Sequence, residues 1–262
     1  MDLDRDELEL RLRDDEAARQ PCSSYMDKQS DIDAKMRGVL VDWLAEVHDS
    51  FRMDTATLHL CVHILDRYLE AAQVARQRLQ LAGITALWIA SKFEDVYDEV
   101  PLARDMVYLT DNAYTRAELI VTERAMLEAL GFVVGTPTVH DFLGLYLASG
   151  EDGTSTEDHM ARYIAQRTLR EMPFVKFLPS LLAAGCILLA RRTMGRCPAW
   201  TPELERASRY ASFTLEPCVN ELAALMASCN TAMTHFICRK FTRERYHRVA
   251  VVYAERTRRA AE

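Results

Sequence analysis

The chain has 262 residues, 49% apolar and 27% charged, with a net charge of −7. This is the composition of a globular protein of one or two domains that can bury a large core. The longest apolar run, Leu181 to Ala190, is too short to span a bilayer, and the acidic start Met1-Asp2-Leu3-Asp4-Arg5-Asp6-Glu7 is not that of a secretory signal.

Charge is uneven along the chain. Residues 1–133 hold 26 Asp and Glu against 15 Lys and Arg, a net of −11, whereas residues 134–262 hold 13 against 17, a net of +4. An acidic first half repels nucleic acid and attracts basic partners. Val39, Leu40, Trp43, Leu44, Val47 and Phe51 form the first apolar stripe at helical spacing. Similar stripes predict helices over 55–71, 77–96, 116–130, 157–171, 179–194 and 215–228. Thr115-x-x-Glu118 and Thr154-x-x-Glu157 have the spacing of capping boxes. Thr136-Pro137 and Thr201-Pro202 place a capping side chain before a first-turn proline. No alternating strand pairs or hairpin turns are visible, so the expected fold class is all-α.

An internal repeat lies about 100 residues apart. Ile64-x-x-Arg67-x-Leu69 is matched by Ile164-x-x-Arg167-x-Leu169, and Leu81–Ala90 by Leu181–Ala190. Tyr114-Thr115 before one helix is echoed by Phe213-Thr214 before another. Two tandem five-helix units account for this spacing, with the junction between Phe132 and Thr138.

The residue patterns of catalysis are scarce. There is no Gly-rich phosphate loop, no G-x-S-x-G and no H-E-x-x-H. His59 and His63 share one helix face, but no third ligand follows at useful spacing. Glu94-Asp95-x-x-Asp98-Glu99 has some likeness to the magnesium motif of all-helical isoprenoid synthases. Such enzymes need carboxylates from more than one helix, and the later half has no second Asp-rich cluster. Cys22, Cys61, Cys186, Cys197, Cys218, Cys229 and Cys238 form no C-x-x-C pair, which fits reduced thiols in the cytoplasm or nucleus.

Met36-Arg37-Gly38-Val39-Leu40-Val41-Asp42-Trp43-Leu44-Ala45-Glu46-Val47 closely resembles the signature first helix of the mitotic cyclins. Tyr25-Met26-Asp27-Lys28-Gln29-Ser30-Asp31-Ile32 is similar to that family's lead-in. Thr57–Leu60 and Ile64–Leu69 resemble its second helix, and Leu79–Gly83 with Ala90–Asp95 its third. Tyr108–Thr115 and Glu123 complete the likeness to a first cyclin box. The resemblance covers about residues 5–250 and is looser after 133. Thr136–Val139 and Tyr246-His247 lean towards the A-type.

The resemblance implies an N-terminal helix and lead-in over 1–31, a first cyclin box over 32–133, and a second box with a C-terminal helix and tail over 134–262. It implies a non-catalytic subunit of nucleus and cytoplasm, without cofactor or metal, that binds and activates a cyclin-dependent protein kinase. Neither nucleic acid nor membrane is an expected partner. Lys92 and Glu123 match the charges that bind kinase backbone, with Ile89, Phe93 and Phe132 beside them and Leu8 and Leu12 on the N-terminal helix. Met36, Val39, Leu40, Trp43, Leu79 and Gln80 match a groove for Arg-x-Leu peptides, in which Glu46 and Asp111 meet the Arg. The resemblance also implies that Met36, Leu40 and Trp43 stay partly exposed.

Arg37 and Asp66 match a buried ion pair joining the first two helices of the box. Gly38 stands where the family usually has Ala, a change that weakens a helix slightly, and Ser50 where many members have Glu. Full-length mitotic cyclins carry a long N-terminal region, and this chain begins almost at the matching part, as a trimmed chain would. The alternatives are a DNA-binding transcription factor of cyclin fold, which calls for a basic stripe, and the isoprenoid synthase.

Overall fold

The computed structural model describes the backbone of residues 2–149, 155–227 and 235–261, and side chains within 7–149, 155–227 and 235–258. Among these residues there are helices and turns but no strands, in two compact units. The first unit comprises residues 1–138 and 169–176, and the second 139–168 and 177–262.

The first unit holds α1 (Asp2–Arg19), α2 (Ala34–Phe51), α3 (Thr55–Ala71), α4 (Leu79–Glu94), α5 (Ala103–Tyr108) and α6 (Arg116–Ala129). Local chemistry sets the helix ends. The Asp33 carboxylate accepts the Met36 N–H at 2.8 Å to start α2, and Asp54 accepts the Ala56 N–H at 2.8 Å to start α3. Thr115 and Glu118 form the reciprocal capping box expected for α6. Helix α4 is buried nearly all round, from Leu79 through Ser91, and α3 packs along it. Its small residues allow close approach: a Cβ at Gly83 would lie 2.7 Å from a methyl of Leu40. Each fully buried Leu or Ile in this core contributes roughly 1.5–3 kcal/mol.

Lead-in side chains tie down the start of this unit. Gln29 Nε2 donates to the Leu69 and Ala72 carbonyls at 2.5 and 2.7 Å, and its oxygen accepts the Val74 N–H at 3.1 Å. These bonds satisfy orphan carbonyls at the end of α3.

The second unit holds α7 (Val139–Leu147), α8 (Ser155–Thr168), α9 (Pro179–Thr193), α10 (Pro202–Ser208), α11 (Ser212–Ala227), α12 (Phe236–Lys240) and α13 (Val249–Ala261). Helix α9 is its central, almost wholly buried element and packs on α7, α8 and α11. It repeats the device of α4, since a Cβ at Gly185 would lie 3.0 Å from the Cys218 sulfur. Each unit thus contains five principal helices, α2–α6 and α7–α11, with α3 and α4 repeated as α8 and α9. Thr201 caps α10 ahead of Pro202, as its spacing predicts.

Several local expectations need correction. Pro137 precedes α7 by two residues and is not in its first turn. Phe213 and Thr214 lie inside α11 rather than before it. Helix α8 ends at Thr168, short of 171, because residues 169–176 leave it to join the first unit. Thr154 lies outside the described residues; Glu157 is buried and binds Arg196. Among the described cysteines, all free, Cys61, Cys186, Cys218 and Cys238 are buried and Cys22 and Cys197 exposed; Cys229 lies outside the described residues. No described helix is long and apolar enough to cross a membrane.

Candidate functional site

All the candidate kinase-binding, groove and ion-pair residues named from the sequence fall in the first unit. Arg37 of α2 and Asp66 of α3 form a buried, bidentate pair, with Arg37 Nε on Oδ1 at 2.7 Å and Nη2 on Oδ2 at 2.6 Å. The Tyr25 hydroxyl donates to the same Oδ1 at 2.7 Å, and Arg37 Nη1 donates to the Leu169 carbonyl at 2.8 Å. Burial and the neighbouring Asp66 carboxylate push the Tyr25 hydroxyl far above its usual pKa, so it stays a donor. The tie therefore joins four segments, of which the sequence indicated two.

Next to it, Gly38 explains its own departure from Ala. A Cβ there would lie 3.1 Å from the Arg170 carbonyl, so α2 approaches the 169–176 segment more closely than Ala easily allows. Ser50 turns its hydroxyl back to the Val47 carbonyl at 2.7 Å.

A first surface forms where α4 leaves the core and α6 passes it. Lys92 and Glu123 make an ion pair across these helices, and the Lys92 ammonium also lies 3.4 Å from the centroid of the Trp88 ring. An ammonium has three donors, so this one retains capacity for a further acceptor. Phe93 is 57% exposed and rests against Gly135, where a Cβ would lie 2.5 Å from the ring. Phe132 is 68% exposed and, like Gly131, has a positive φ, of 59° for each residue. Two consecutive left-handed residues turn the chain off the end of α6 and hold this ring outward.

Ile89 does not belong to this surface. It is buried in the α4 core and cannot serve as an outward contact, because its helical face is the one that packs inward. Ile120 and Val121 of α6 are also exposed, and Val121 lines a separate pocket with Tyr68, Val74 and Arg78. The sequence carried the signal: Ile120 and Val121 lie off the buried stripe of Leu119 and Met126, on a helix face shared with charged residues. On α1, Leu8 is half exposed and Leu12 partly buried.

A second feature is an open groove of about 710 Å³ between the N-terminal halves of α2 and α4. It brings together Met36, Val39, Leu40, Trp43, Leu79 and Gln80, six of the groove residues named from the sequence. Leu40 is not partly exposed as expected; Leu40 and Leu79 are buried and form the floor, Met36 and Trp43 are half-buried walls, and Val39 is exposed. Glu46 and Asp111 are exposed but do not line the groove. Besides Gln80 the groove is lined by the charged Asp33, Lys35 and Arg76, which the sequence did not single out; Arg76 arrives from the turn before α4.

The acidic run after α4 has a structural use. Asp95 accepts the Asp54 N–H and the Thr57 hydroxyl, both at 2.9 Å, fastening the end of α4 to the start of α3. No third ligand joins His59 and His63 among the described residues.

The comparisons with known proteins agree with this architecture. The profile described as "Cyclin, N-terminal domain" matches residues 10–135, and that described as "Cyclin, C-terminal domain" matches residues 137–255. The chain is 36% identical to Cyclin-A1 of Xenopus laevis over 247 residues, covering 94% of this chain and 58% of that protein. It is 37% identical to the G2/mitotic-specific cyclin-A of Hydra viridissima over 232 residues, covering 88% and 54%. It is 35% identical to Cyclin-B1-2 of Arabidopsis thaliana over 228 residues, covering 87% and 51%. Among solved structures, a viral cyclin from herpesvirus saimiri superimposes with a TM-score of 0.72 at 27% identity, covering 84% of this chain and 95% of that one. The chain spans about half the length of the curated relatives it matches. With both domains matched in tandem and the mitotic A- and B-type proteins as relatives, this chain belongs to the cyclin family.

Proposed function

We propose that the chain is the regulatory subunit of a cyclin-dependent Ser/Thr protein kinase in cell-cycle control, acting in nucleus and cytoplasm, and that it activates the kinase without touching ATP. The observation that carries this reading is the Lys92–Glu123 pair with the exposed Phe93 and Phe132. Such a set offers charge-assisted bonds to a partner's main chain and aromatic anchors around them. A kinase is active when its C-helix Glu reaches the ATP-positioning Lys. A subunit that binds only that arrangement shifts the population towards it.

The groove along α2 supports a second role on a separate face, recruitment of substrates or inhibitors bearing Arg-x-Leu. The Leu enters over the Leu40 floor beside Trp43, and Glu46, one turn beyond Trp43 on α2, takes the Arg. The test is capture of a kinase from cell extract by the wild-type chain, followed by assay of its activity with wild type and with a Lys92→Ala, Glu123→Ala double variant. Capture and activation by wild type alone are expected. Equal activation by both overturns the assignment.

A further inference from the structure

In the second unit, the turn that leads into α13 is gripped by side chains of α8. The His159 ring meets Tyr246 edge-on, with ring centroids 5.8 Å apart, and its centroid lies 5.0 Å from that of His247. Thr156, one turn earlier on α8, bonds His247 Nδ1 through its hydroxyl at 2.8 Å. The backbone gripped here is strained, because His247 and Arg248 have φ of 52° and 50°, two consecutive left-handed residues with side chains. Each costs roughly 1–2 kcal/mol. Such a conformation persists only while its surroundings hold it. Helix α13 begins at the next residue, buries Val249, Ala250 and Tyr253, and packs on α8 and α9.

His159 is held neutral. Its Nδ1 is buried with no hydrogen-bond partner, so a proton placed there meets no acceptor. Burial, with His247 and Arg162 beside it, pushes the ring below its usual pKa. The cations around the clasp are Arg162 on α8, and Arg245 and Lys240, which lie 4.8 and 5.6 Å from the centroid of the Tyr246 ring. Glu157 is taken up by Arg196 and Arg191, Glu244 lies 3.9 Å from Arg248, and Arg192 of α9 binds Glu216. Asp158 is left to offset an imidazolium, and burial raises its own carboxyl, which weakens it as a counter-ion. The unfolded or undocked imidazole therefore takes up a proton more readily than the clasped one. The contact is complete above the usual histidine value of 6.5 and is lost as pH falls below it.

We propose that His159 is a proton-operated catch for the C-terminal helix: neutral, it clasps Tyr246 and His247 and keeps α13 docked on α8 and α9, and protonated, it lets go of the turn and releases the helix. The imidazolium puts an N–H where nothing accepts it and a charge beside His247. The strained pair His247–Arg248 then relaxes, and α13 loses the turn that sets its entry. Release of such a terminal element is a local opening, distinct from unfolding of the unit.

The experiment is hydrogen exchange read by mass spectrometry on the full chain at pH 7.5, 6.5 and 5.5, corrected for the intrinsic pH dependence of exchange. Amides of α13 are compared with those of α9, the buried helix of the same unit, in wild type, His159→Gln and His247→Gln, with circular dichroism confirming the helical fold of each. In wild type, protection of α13 should fall about three- to tenfold between pH 7.5 and pH 5.5, while that of α9 holds. His159→Gln should abolish the pH step, and His247→Gln should reduce it by removing one of the two charges. Protection of α13 that does not change with pH, an equal loss in α13 and α9, or a full pH step in a folded His159→Gln overturns the proposal. The first two outcomes are read from wild type alone, so they decide the matter even if the Gln variant does not fold.

Discussion

Arg37 holds Asp66 with two parallel hydrogen bonds, of 2.7 and 2.6 Å, and passes its remaining amino group to the Leu169 carbonyl at 2.8 Å. One guanidinium thereby fixes the register of α2 against α3 and anchors a segment distant in the chain. Both side chains are almost wholly buried, so neither can be removed alone without leaving the other's charge stranded.

Arg37→Ala and Asp66→Ala should each destabilise the chain by roughly 3–5 kcal/mol. Arg37→Met combined with Asp66→Leu should recover a large part of that loss. Recovery should be incomplete, because the Tyr25 hydroxyl and the Leu169 carbonyl lose partners too. Urea denaturation of the four chains checks this, and additive losses in the double variant would contradict a stranded charge as the cause.

The Lys92→Ala, Glu123→Ala double variant should keep its fold, since a partly exposed pair is worth only about 0.2–1 kcal/mol internally. Against a kinase, loss of the same groups should weaken binding by roughly 2–5 kcal/mol. Melting temperature and kinase activation, measured on one preparation, separate the two effects.

Phe132 combines strong exposure with a left-handed backbone, a pairing with no benefit to the isolated chain. Phe132→Gly relieves the positive φ at about 1 kcal/mol, offset by the greater freedom of glycine in the unfolded chain. The melting temperature should therefore hardly move, while kinase affinity should fall by about 1 kcal/mol or more. Unchanged affinity in pull-down titration would remove Phe132 from the kinase-facing set.

Trp43→Ala should raise KM for substrates that carry Arg-x-Leu, by about tenfold or more, and leave kcat on a short peptide lacking the motif nearly unchanged. That split is lost uniform binding, not lost transition-state stabilisation. Because Trp43 is half-buried, its melting temperature must accompany the kinetics.

His63 should contribute a pH dependence. Burial, with the positive charge of Arg67 beside it, pushes its ring down to about 4 from the usual 6.5. Between those values the unfolded chain binds the proton and the folded chain does not, so stability is complete above about 6.5 and falls with pH towards 4. The loss from this group is up to about 3 kcal/mol. His63→Phe should flatten that part of the profile, as read from denaturation midpoints at pH 7.5 and pH 5.

The sequence by itself determined the helices with long apolar stripes, the caps at Thr115 and Thr201, the pairing of Arg37 with Asp66 by family likeness, and the two-fold repeat of α3 and α4 in α8 and α9. Periodicity and capping act within a few residues, so a linear reading reaches them. Short helices such as α5 and α10 lack room for a stripe, and their existence depends on what packs against them. The tertiary structure alone decided that Ile89 and Leu40 are buried while Ile120, Val121 and Phe132 are exposed, because exposure depends on the opposing surface and not on helical spacing. It also decided that residues 169–176 join the first unit, and that Lys35 and Arg76, far apart in the chain, line one groove from which Glu46 and Asp111 are absent. Charges become neighbours only when the elements carrying them pack together.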